Sequence, residues 1–138
     1  LPILLLLMAL YGVPLYASLA AVPVILLLQT VFTWGLVVAL AALNVHFRDI
    51  QHILGNLLLL WFFLSPIIYP VDQIPEGLRF TQYLNPIGFM IETYHGVFLY
   101  GVLPSLATLG YLLVFSLAVA MLGSRVFEHY RETFAELV

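Results

Sequence analysis

The chain contains no cysteine and no lysine, and its only fixed positive charges are Arg48, Arg79, Arg125 and Arg131. Without cysteine, disulfides, thiolate chemistry and Cys-ligated metals are excluded. Four arginines cannot form the basic surface that neutralises a phosphate backbone, so nucleic-acid binding is excluded too. Charged residues make up 8% of the 138, against about 25% in a soluble domain. No GxxxxGK[ST] loop is present to cradle nucleotide phosphates, so ATP hydrolysis does not belong to this chain. Before Leu1–Leu10 there is neither a basic leading region nor a small-residue cleavage site, so the start is no signal peptide. It lies inside an apolar run and begins with Leu, which points to a piece of a longer chain.

Hydrophobic residues are abundant instead, at 64%. The fold class expected is an all-α integral membrane protein with a single membrane domain over residues 1–138, because too few polar residues remain for a separate soluble core. A helix needs about 20 residues to cross roughly 30 Å of hydrocarbon. Residues 1–13 are the end of a partial span, followed by a tight turn with Gly12 and Pro14 as breakers. Residues 19–43, 50–69 and 105–123 each read as a complete span. Residues 124–138 read as an amphipathic tail with Phe127, Tyr130, Phe134 and Leu137 on one stripe and a Glu128–Arg131 pair. Arg48 lies in the 44–49 turn, and Arg125 and Arg131 lie in the tail, whereas the other side carries only Arg79. This asymmetry puts the 44–49 turn and the C-terminus in the cytoplasm, and three crossings force those two ends onto one side.

Between the last two spans, residues 75–100 are mostly apolar yet too short for two crossings. Ile87, Met90, Ile91, Tyr94 and Phe98 form one helical stripe. Asn85 suits an N-cap and Pro86 the first helical position. A helix over Pro86–Tyr100 is about 22 Å long, and Pro75–Leu84 is a shorter piece before it. The two pieces read as a re-entrant hairpin on the outward side, held against other spans or a water-filled path. Within it, Glu92 and His95 fall off the apolar stripe, together with Gly88. Both are costly in lipid and so are expected to face protein or water, as a structural hydrogen-bonded pair or as part of a substrate path. Glu92-x-x-His95 is also half of a di-iron pattern, but no other span holds a Glu, and no metal is expected.

Other candidates have two readings each. Arg48 and Asp49 at the cytoplasmic turn serve topology and the N-terminus of the next span, or contact a partner. Most aromatics fit an interfacial belt. Trp61, Phe62, Tyr69 and Tyr94 are the candidates for a path on which sugar rings stack. Gly35 and Ala39 allow a close helix approach.

The ordered set "LNVHFRD" (Leu43–Asp49), "FFLSPIIYP" (Phe62–Pro70), Ile74-Pro75, "LNP" (Leu84–Pro86), "IETY" (Ile91–Tyr94) and "LYG" (Leu99–Gly101) resembles the membrane subunit of ABC type-2 exporters, in the branch that exports polysaccharides such as O-antigen and teichoic-acid precursors. The resemblance covers essentially the whole chain. It implies a permease of six spans with an N-terminal interfacial helix, of which this chain holds the last four spans. It also implies a homodimer in the bacterial cytoplasmic membrane, docked to two copies of a separate ATPase that carries ATP and Mg. By the same resemblance the third span here lines the channel, a lipid-linked glycan is the substrate, and no covalent chemistry is done by this chain. Three alternatives stay open: an integral membrane enzyme acting on a lipid-linked sugar, a non-transporting scaffold, and a type-2 exporter of drugs or lipids.

Overall fold

The computed structural model describes residues 2–12, 14, 16–46, 49–65, 67, 76–78 and 84–134. Among these there is no strand. The helices are α1 (Pro2–Leu10), α2 (Val22–His46), α3 (Ile50–Leu64), α4 (Pro86–Leu99) and α5 (Leu106–Phe134), with 3₁₀ turns at Ala17–Ala21 and Glu76–Leu78. Gly12, at φ +69°, ends the turn after α1, a conformation that costs glycine little and other residues more.

The core is the seam between α2 and α5. On α2 the buried positions are Val22, Ile25, Leu28, Phe32, Gly35 and Ala42; on α5 they are Leu112, Ser116, Ala120 and Gly123. Both sets recur every three or four residues, the spacing of one helix face. The two helices run in the same direction. Leu109 packs into the cluster of Val22 and Ile25, and Leu112 into that of Leu28 and Phe32. Further along, Gly35 meets Ala120. A Cβ on Gly35 would lie 2.6 Å from the Ala120 Cα, and one on Gly123 would collide with the Gly35 carbonyl. Small side chains therefore set the distance of this crossing, as they do in membrane helix pairs that meet without a hydrophobic driving force. Gly35, which on the sequence reads as readily as ordinary packing, makes a close approach here, and its counterparts, Ala120 and Gly123, come from the last helix.

Two apolar helical stretches, Ala17–Val45 and Leu106–Arg131, are long enough to cross a bilayer. The helix expected over residues 50–69 stops at Leu64. Ser65 is extended (ψ 139°), because a residue preceding proline is driven out of the α region. The helical part has 15 residues, about 22 Å; Tyr69 lies outside the described residues. The span expected over 105–123 and the start of the amphipathic tail lie on one continuous helix, α5, of 29 residues to Phe134. Gly123 does not break it, since it is the contact point on α2. Glu128 and Arg131 form no ion pair with each other among the described residues.

α3 has no buried residue. Leu57, Leu58, Leu59, Leu60, Phe63 and Leu64 are all at least half exposed. A helix that is apolar all round and exposed all round needs an apolar solvent.

α4 lies along the first half of α2. Its end packs at the start of α2, where the buried Ser18 Oγ donates to the Val97 carbonyl at 2.8 Å. Its beginning reaches the cluster of Leu28 and Phe32, where Met90 is buried. Thus α4 begins about halfway along α2 and returns to the α2 N-terminal end. Gly101, at φ +65°, closes it; the ring of Tyr16 sits where a Cβ would be, 2.6 Å away. Of the piece expected over Pro75–Leu84, the described parts are the Glu76–Leu78 turn and Leu84; Arg79 is outside the described residues.

Candidate functional site

Among the described residues, α4 and its attachments carry many of the polar side-chain contacts. Asn85 is the N-cap of α4, with Pro86 next. Its Oδ1 accepts from the Gly88 N–H at 3.2 Å, the ordinary cap bond. The same Oδ1 accepts from the Trp61 indole Nε1 at 2.8 Å, and Nδ2 donates to Ser65 Oγ at 2.9 Å. Ser65 Oγ in turn donates to the Trp61 carbonyl at 2.9 Å. One amide therefore starts α4 and also fastens it to the last turn of α3. A carboxamide offers an acceptor and a donor on the same rigid group, so one side chain serves both helices. Trp61, expected as a path-lining aromatic, spends its N–H on this junction. Asn85 and Pro86 sit at the helix start, as the sequence indicates.

Tyr94 makes the second attachment: its hydroxyl donates to Gln29 Oε1 on α2 at 2.8 Å. Phe62 is exposed, with its ring edge-on to Phe63 at 5.7 Å. The expected stripe on α4 holds in part: Met90 and Phe98 are buried, while Ile87, Ile91 and Tyr94 are half-buried. Gly88, grouped with Glu92 and His95 on the sequence, is instead buried, because its N–H points into the Asn85 cap.

Glu92 and His95 are both exposed and form no hydrogen bond with each other. Three residues on a helix differ by about 60° in direction, and here that angle separates two clefts. Glu92 lines a cavity of ≈ 360 Å³ with Phe89, Gly96, Ser105 and Thr108. His95 lines an apolar groove of ≈ 590 Å³ with Met8, Leu26, Gln29, Tyr94 and Phe98. Asp49 stands at the far end of the bundle, at the N-cap of α3. Its carboxylate makes no cap bond; its backbone carbonyl accepts from the His52 and Ile53 N–H groups, both at 3.2 Å. Arg48 lies outside the described residues. Among the described residues no three His, Cys, Asp or Glu gather to hold a metal, and no acid and base converge on one point.

Sequence reasoning missed the Trp61–Asn85–Ser65 junction, the Ser18–Val97 bond and the Gln29–Tyr94 bond. Only the first left a signal, a Ser-Pro at the end of one helix and an Asn-Pro at the start of another.

Long apolar helices, an all-round exposed apolar α3 and small-residue packing define a helical membrane protein whose polar contacts position helices. The model of the family described as ABC-2 type transporter matches residues 1–99, and the chain belongs to that family of membrane transport proteins. Among its relatives is the "O-antigen export system permease protein RfbA" of Myxococcus xanthus, 42% identical over 118 residues, covering 84% of this chain and 45% of the relative. A protein of the same name from Klebsiella pneumoniae is 28% identical over 138 residues, covering 99% of this chain and 53% of the relative. The chain thus spans about half the length of the curated relatives it matches. No solved structure matches it.

Proposed function

We propose that this chain is part of the permease subunit of an ATP-driven exporter that moves a lipid-linked polysaccharide across the bacterial cytoplasmic membrane. The observation that carries this reading is the 42% identity, over most of the chain, to a protein named as an O-antigen export permease. ATP and Mg belong to a separate ABC ATPase, and the permease works as two copies. The chain is multi-pass, with the 44–49 turn and the end of α5 in the cytoplasm. The parallel run of α2 and α5 supports this, since parallel neighbours enter from the same face. Residues 75–100 form the outer gate: α4 runs from about mid-depth back to the outer surface, and Asn85 anchors its deep end to α3. Glu92 and His95 stand on the two exposed flanks of that helix, where a change of its position would be felt first. Path-lining roles for Phe62, Tyr69 and Tyr94 belong to the same reading, as does partner contact at Arg48 and Asp49.

The test is copurification. The full-length permease, tagged and solubilised in mild detergent, should carry a separate ABC ATPase in equal number, two of each per complex. A stable permease that purifies alone from cells expressing both would contradict the reading.

A further inference from the structure

The cavity beside Glu92 is lined by one carboxylate residue and three hydroxyl residues, Thr93, Ser105 and Thr108, and the packing of the helices does not explain that chemistry. It lies between α4 and the 101–105 connection to α5, and at ≈ 360 Å³ it falls in the range of roughly 300–1,000 Å³ of small-molecule sites. Its lining residues include Glu92, Thr93, Ser105 and Thr108, with Phe89, Val102 and Leu103 as the apolar part. The hydroxyls are partly committed. Thr93 Oγ1 donates to the Phe89 carbonyl at 2.8 Å and keeps its lone pairs. Ser105 Oγ and Thr108 Oγ1 share one proton at 2.9 Å, which leaves one hydroxyl proton of the pair for an outside acceptor. The Thr108 N–H is already taken by Ser105 Oγ at 3.1 Å, so the start of α5 offers no free cap.

The cavity therefore presents a carboxylate acceptor, one hydroxyl donor, further acceptor lone pairs and an apolar wall to which Val102 and Leu103 contribute. An anion is disfavoured by the carboxylate. A metal ion would find a single charged ligand. A neutral pyranose fits each element: adjacent ring hydroxyls both donate and accept, a carboxylate takes such donors in strong charge-assisted bonds, and the C–H face of the ring covers apolar surface. We infer that this cavity is a monosaccharide subsite, holding one sugar ring of the glycan at the outer mouth beside α4. The inference rests on the export reading above and names where that substrate touches this chain.

Gly96 makes the test clean. It lines the cavity, and a Cβ built on it meets nothing within 4 Å, so Gly96→Leu fills the site without displacing the fold. The full-length permease with its ATPase, in detergent, is examined by saturation-transfer NMR with methyl α-D-glucopyranoside, methyl α-D-mannopyranoside and methyl α-D-galactopyranoside. At least one should receive saturation on its ring C–H groups. The signal should fall about tenfold or more in Glu92→Ala, which loses charge-assisted hydrogen bonds, and equally in Gly96→Leu. Gly55→Leu, on open surface of α3, should leave it unchanged. No transfer from any of the three sugars, or equal transfer to wild type and Gly96→Leu, overturns the subsite. ATP-driven export on the same preparations separates the two claims. Wild-type export without sugar binding here sinks the subsite alone, whereas absence of export sinks the export reading and leaves the binding result to judge the cavity.

Discussion

Asn85 joins two helices through one amide, so its replacement has a calculable cost. Asn85→Ala removes the cap on α4, worth about 1 kcal/mol. It also leaves the Trp61 indole N–H without its acceptor in a half-buried position, toward the low end of the roughly 1–3 kcal/mol cost of an unmet donor. Ser65 Oγ keeps its bond to the Trp61 carbonyl and adds little. The total is about 2–3 kcal/mol. Asn85→Asp is the informative contrast. A carboxylate caps as well as a carboxamide and still accepts from the indole; it loses only the donor to Ser65, so about 1 kcal/mol or less is expected. The chain's tryptophans are Trp34 and Trp61. In a permease whose sole tryptophan is Trp61, acrylamide quenching of its emission reads the junction directly, and thermal melting in detergent reads the cost. Asn85→Ala should raise quenching and lower the melting temperature, while Asn85→Asp should stay near wild type. Equal quenching in all three proteins would show that Asn85 does not hold Trp61 and would remove the anchor from the gate.

Two buried serines should behave oppositely. Ser18→Ala takes the donor from the Val97 carbonyl and should destabilise by about 1 kcal/mol. Ser116 Oγ is buried without a hydrogen-bond partner among the described residues, so Ser116→Ala should be neutral or stabilising; parallel melting curves decide. Gly123→Ala drives a methyl into the Gly35 carbonyl and should sharply reduce accumulation in the membrane, whereas Gly55→Ala meets open space and should accumulate normally on immunoblots. For topology, single cysteines at Asp49 and Glu132 should react with an impermeant maleimide only from the cytoplasm, and one at Ser105 only from outside. Labelling of Asp49 and Ser105 from the same side would contradict the crossing pattern.

The sequence carried the all-helical membrane class and the Asn85-Pro86 start of α4, because composition and cap chemistry are local signals. The helical end of α3 at Leu64 was not legible from apolarity, which continues through Ile67, Ile68 and Tyr69, because Pro66 acts on the backbone conformation of the residue before it. The role of Gly123 was not legible either, because its lack of a side chain matters only against Gly35 on α2. Asn85 is 24 residues from Trp61 and 20 from Ser65, so no periodicity could bring it to them. Glu92 and His95 were close on the helix, but which cleft each faces depends on the elements packed either side.

The central claim is ATP-driven polysaccharide export, and reconstitution tests it most directly. Full-length permease and its ABC ATPase are placed in vesicles with the ATPase outward, and a lipid-linked glycan is supplied with ATP and Mg outside. The account predicts that glycan becomes protected from an external glycosidase only with hydrolysable ATP and only when the ATPase is present. Protection that proceeds without the ATPase, or none with the complete system, would contradict it.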